Sequence, residues 1–168
     1  INDTNLISVS SSLRNTIYFN RSNPKYGLNY TIKNNQNKNL LNSGFEARDL
    51  LSNSIDFRWN ISKRFTFRNK AERSSKGRNS QIFSANEYKI DMYSLEPKIS
   101  YQKGANFRTS LKSSLKNKTN QPQFGGEFTQ FRKFGIETTY TMVSKGRMTA
   151  GLDFVSTTFN GESLTGNS

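Results

Sequence analysis

Charged side chains recur in this sequence at even intervals. Arg68, Lys70 and Glu72 follow one another two residues apart, as do Glu96 and Lys98, and Arg108, Lys112 and Lys116 are spaced by four. In an extended chain even spacing puts side chains on one face, so these residues, with Arg58, Glu137 and Asp153, form a candidate charged set. Its chemistry is electrostatic: mixed signs allow ion-pair ladders, and an excess of bases attracts anions. It is not the chemistry of an enzyme. Histidine and cysteine are both absent, which removes the commonest general base, the thiolate ligands and every Ser-His or Cys-His arrangement. The carboxylates are scattered rather than clustered, so neither a metal nor another cofactor is read.

The positions between these charges are apolar. In "FRWNISKRFTFRNK", residues 57 to 70, Phe57, Trp59 and Ile61 alternate with Arg58 and Asn60, the chain pauses at Ser62, Lys63 and Arg64, and alternation resumes with Phe65 and Phe67. Period-two alternation about a short polar break is a β-hairpin signal. Eight such segments are read: Ile7 to Phe19, 25 to 33, Ile55 to Ile61, Phe65 to Glu72, Tyr93 to Tyr101, Phe107 to Lys116, Ile136 to Met142, and Met148 to Phe154. Within these frames the apolar phase carries no charge. Pro97 lacks a ladder donor and predicts a bulge or weak pairing in the fifth segment, and an irregularity is expected near Met92.

Short polar turns ("NRSNPK", "SKR", "QKGAN", "SKGR") join segments 1 to 2, 3 to 4, 5 to 6 and 7 to 8. Longer stretches such as "NNQNKNLLNSG" and "RSSKGRNSQIFSANE" join the others and are expected to be long loops. Strands of about 9 to 13 residues approach what a tilted strand needs to cross a bilayer. Aromatic residues flank the short turns: Phe19 and Tyr26, Trp59 and Phe65, Tyr101 and Phe107. An interfacial girdle would lie there.

The chain has 168 residues and a net charge of +13, with 13 Phe, 7 Tyr and 1 Trp. That is enough for one domain, too aromatic for a disordered chain, and suited to an anionic partner. No apolar run is long enough for a transmembrane helix, and the first residues lack the pattern of a signal peptide. Two all-β architectures fit. A soluble antiparallel β-sandwich would bury the apolar phase in a core and could bind an anionic partner such as nucleic acid or polysaccharide. An antiparallel up-and-down transmembrane β-barrel would turn that phase to lipid, where a midplane Lys or Arg costs about 2 to 4 kcal/mol. Strand length, aromatic placement and sequential connections favour the barrel.

"FGIETTYTMVSKGRMTAGLDFVSTTFNG", residues 134 to 161, resembles a hairpin near the C-terminal end of large outer-membrane β-barrel proteins of Bacteroidota-type bacteria. The resemblance implies a bacterial outer-membrane location, contact with lipid and lipopolysaccharide, and other outer-membrane proteins or lipoproteins as partners; it carries over no catalytic residue. Because a short turn comes first, both chain ends fall on the long-loop side, opposite to the habit of such barrels. Residues 1 to 168 are therefore expected to be a segment of a larger barrel.

On this reading Arg58, Arg68, Lys70, Glu72, Glu96, Lys98, Arg108, Lys112, Glu137 and Asp153 face the lumen. Phe19, Tyr26, Phe57, Trp59, Phe65, Phe67, Tyr101 and Phe107 face lipid or the girdle. Bases outnumber acids, which suits an anion-preferring pore or transport lumen, a lumen filled by salt bridges, or a scaffold that docks a partner. The Gly-containing "KGRNS", "SKGRM" and "QKGAN" lack phosphate-loop spacing and read as turns, and "FGGEF" as a loop or bulge. Nucleic acid is not expected, since stacking platforms need bases and aromatics on the same face and here they separate.

Overall fold

The computed structural model describes residues 8–41, 44–81, 87–142 and 145–161. The strands are β1 (Ser8–Phe19), β2 (Tyr26–Leu41), β3 (Gly44–Asn60), β4 (Phe65–Ser80), β5 (Tyr88–Lys103), β6 (Phe107–Asn120), β7 (Phe128–Met142) and β8 (Gly146–Asn160), and a 3-10 turn at Pro122–Phe124 lies between β6 and β7. All pair antiparallel with their sequence neighbours in a single sheet of order β1-β2-β3-β4-β5-β6-β7-β8. The sheet is open: β1 and β8 are its edges. The expected all-β, up-and-down order is present, and a closed barrel is not.

β1 matches the alternation read for it, whereas β2 to β8 are longer than the alternation indicated, at 14 to 17 residues. "NNQNKNLL" is the second half of β2 rather than a loop, and "RSSKGRNS" completes β4. The physical reason is that both faces are polar there, so no period-two contrast marks the strand. Backbone pairing carries it, helped by cross-strand bonds such as Ser8 Oγ to Asn39 Oδ1 at 2.7 Å and Ser12 Oγ to Asn35 Oδ1 at 2.8 Å. The expected contrast between short turns and long loops shrinks accordingly, since β2 ends at Leu41 and β3 starts at Gly44. Ile7, Ser144 in "SKGR" and parts of the expected loops lie outside the described residues.

Pro97 acts as its chemistry requires. Pairing with β4 passes unbroken through Asn69 and Pro97, whereas pairing with β6 lapses between Leu95 opposite Leu115 and Lys98 opposite Lys112. The register is the same on both sides of the gap, so the expected weak pairing is found without a bulge. No irregularity occurs at Met92, which pairs in register with Ser74; Ile90 and Met92 simply share the phase of Glu96 and Lys98. "FGGEF" forms a loop, with Gly125 and Gly126 at φ of 111° and 63°.

Register shows how the strands lean. From each hairpin to the next, the turns advance along the sheet by about two residues, hence about one per strand. With about 3.3 Å per residue along a strand and 4.8 Å between strands, the strands incline by about 35° from the normal to the line of turns.

Burial is inverted. Among the described residues no hydrophobic side chain is buried, and the buried polar residues are Ser52, Ser74, Ser80, Ser110, Asn120 and Thr139, all on the charged face. The opposite face exposes Ile17 (65%), Trp59 (47%), Leu111 (57%), Leu152 (74%) and others like them.

Candidate functional site

Cross-strand register assigns every candidate residue to a face, because directly opposed residues of antiparallel strands point the same way. Arg58, Arg68, Lys70, Glu72, Glu96, Lys98, Arg108, Lys112, Glu137 and Asp153 share one face. Phe19, Tyr26, Phe57, Trp59, Phe65, Phe67, Tyr101 and Phe107 share the other.

On the apolar face the aromatic rings line the turn side. Phe65 meets Tyr101 with centroids 4.8 Å apart, Tyr101 meets Phe107 edge-on at 6.4 Å, and Phe57 meets Phe67 at 6.3 Å. Tyr140, opposite Phe107, extends the row. On β3, β4, β5 and β7 the face stays free of charge for seven to nine residues, as from Leu51 to Trp59, until Asp49, Arg73, Asp91 and Arg132 end it; on β2 the stretch runs on to Lys38, and on β1, β6 and β8 no charge falls on this face among the described residues. At the inclination above, that belt is about 20 to 25 Å tall. The charge-free phase is thus a band of limited height on β3, β4, β5 and β7, and runs the whole described length of β1, β6 and β8.

The charged face is laddered. Lys70 pairs with Glu72 at 3.1 Å, Lys116 with Glu96 at 2.9 Å, Lys133 with Asp153 at 2.8 Å, and Lys112 with Glu137. Gly135 makes room for this: a Cβ there would collide with the Asp153 carboxylate. Farther from the turns, Glu46 takes Arg78 at 2.8 Å and Arg48 at 2.6 Å.

One row departs from this alternation. Arg58 lies opposite Arg68, Arg68 opposite Lys98, and Lys98 opposite Lys112, so four bases stand side by side across β3 to β6. Opposite charges in such positions contribute roughly 0.2 to 1 kcal/mol per pair, and like charges oppose folding. The next row, Asp56, Lys70 and Glu96, alternates as expected. Lys112 is relieved by Glu137, whereas among the described residues Arg58, Arg68, Lys98 and Arg108 form no ion pair. Arg58 donates from Nη2 to the Asn23 carbonyl at 2.8 Å, tying the β1/β2 turn to β3, and its buried Nε has no partner.

Two hollows adjoin this row. One of about 460 Å³ includes Arg21, Arg58, Arg68, Lys70 and Lys98 together with Asp56 and Glu96. The other, about 230 Å³ and nearer the β3/β4 turn, is lined by Lys63, Arg64, Thr66, Arg68, Lys98, Ser100, Gln102 and Arg108, with no carboxylate.

The face also carries charges outside the candidate set, notably Glu46, Arg78 and Lys133, which lie beyond the alternating frames; Lys63 and Arg64 belong to a turn. Their even spacing from in-frame charges would have found the first three once the strands were extended. No group of His, Cys, Asp and Glu among the described residues could hold a metal. Compared with protein families, curated proteins and solved structures, the chain finds no match in any of the three.

Proposed function

We propose that the chain is a membrane-spanning segment of an outer-membrane β-barrel, its apolar belt against lipid and its charged face lining the interior, serving as a pore, transport or scaffold element. The inverted burial carries this reading. About twenty large apolar side chains on one face, each worth on the order of 1 kcal/mol or more if covered, outweigh the 5 to 15 kcal/mol net stability of an ordinary domain. That face therefore needs an apolar neighbour. Lipid suits the dimensions: the belt height is near the 25 Å of outer-membrane barrels, the inclination falls within their 35 to 45°, and a row of rings borders one side.

Outer-membrane lipid, including lipopolysaccharide, is then the main partner, and neighbouring barrel or lipoprotein components are candidates for the interior. The test is partitioning. The chain should need detergent to remain dispersed, and in lipid it should migrate on gels at different positions before and after boiling. A freely soluble, monodisperse chain would end the membrane reading in favour of a sheet that buries the same face against protein. Planar-bilayer recordings of the intact protein separate pore from scaffold: a conducting interior of this charge favours anions, and Glu at Arg58 and Arg68 should reverse that preference.

A further inference from the structure

We propose that the carboxylate-free hollow beside the basic row is a binding site for a soluble phosphate-type oxyanion, free or as a phosphomonoester. Arg68, Lys98 and Arg108 bring their charge to it from three adjacent strands, and Arg64 adds another from the β3/β4 turn. Thr66 and Ser100 supply hydroxyl donors directly opposite one another, so the lining offers neutral as well as charged hydrogen bonds. Guanidinium groups match phosphate with paired, planar donors. At about 230 Å³ the hollow has room for the oxyanion and a small attached group.

The contrast between rows supports a site rather than a generally basic surface. The sheet neutralises Lys70, Lys112, Lys116 and Lys133 with carboxylates, yet sets Arg68 between Arg58 and Lys98 with none. A bound dianion would supply the missing counter-charge. The inference rests on the charged face alone and holds whether lipid or protein covers the other face.

The experiment is isothermal titration of the full chain with inorganic phosphate, then with glucose 6-phosphate, in whichever of buffer or detergent keeps its β-sheet circular dichroism. Acetate at matched ionic strength is the control. Saturable binding of phosphate and the sugar phosphate, not reproduced by acetate, is expected. Arg68→Gln and Lys98→Met should each weaken it roughly tenfold, the value of a charged hydrogen bond. Lys118→Gln, elsewhere on the same face, should change it by less than about twofold.

Unfolding temperature gives a second reading. Lys98→Met should raise Tm in phosphate-free buffer, by removing repulsion, and lose the phosphate-dependent rise of the parent; a variant that only damages the fold lowers Tm instead, and Arg68→Lys, keeping the charge, should then retain binding. No saturable binding by the parent, an equal loss in Lys118→Gln, or binding only to vesicles carrying phosphatidic acid overturns the proposal.

Discussion

At the scale of single residues, two positions on the apolar face make different predictions for one substitution. Leu111 sits in the middle of the apolar belt, and Asn117 lies on the same face past Leu115, whose β7 partner Arg132 ends the charge-free stretch of that strand. Leu111→Arg should cost about 2 to 4 kcal/mol and Asn117→Arg about 0 to 1, measured by urea unfolding from lipid vesicles. Equal costs would remove the argument for a lipid-matched belt. The face of each candidate residue was readable because even spacing is preserved however far a strand runs. The ion pairs were not, since Lys133 with Asp153 and Lys116 with Glu96 depend on register, and register between strands is absent from a single segment's pattern. The basic row is the clearest case: Arg58, Arg68, Lys98 and Lys112 come from four segments, and only pairing sets them in line.

At the scale of elements, Pro97 leaves β5 and β6 unpaired at one point. Pro97→Val should restore a donor toward β6, add about 0.5 to 1.5 kcal/mol, and slow amide exchange at position 97 and Ser113 relative to neighbouring ladder positions. Unchanged exchange there would mean that the gap has another cause. Strand existence and order were legible wherever one face was apolar. Strand extent was not: β2 beyond Lys33 and β4 beyond Glu72 are polar on both faces, and polar strands read like loops.

At the scale of the whole molecule, the open edges are the feature to test. The sequence has no native cysteine, so pairs can be introduced cleanly. A cysteine at Ile17 on β1, combined in turn with one at Leu152, Phe154 or Ser156 on β8, should give no intramolecular disulfide, which requires Cα atoms within about 7 Å. Efficient cross-linking would mean that these eight strands close on themselves. An open edge of this length also invites edge-to-edge association unless another strand pairs with it.

Inverted burial has a consequence for how the chain reaches its folded form. In water, collapse would press the belts of two sheets together and turn the ladders of Lys70–Glu72 and Lys133–Asp153 outward; against lipid, the same register holds those ladders inside. Moving the chain from one surrounding to the other thus exchanges its interior for its exterior. The surrounding solvent, as much as the residues, decides which face becomes the inside, and if the belt meets lipid as proposed, it must be covered during any passage through water by something that later lets it go.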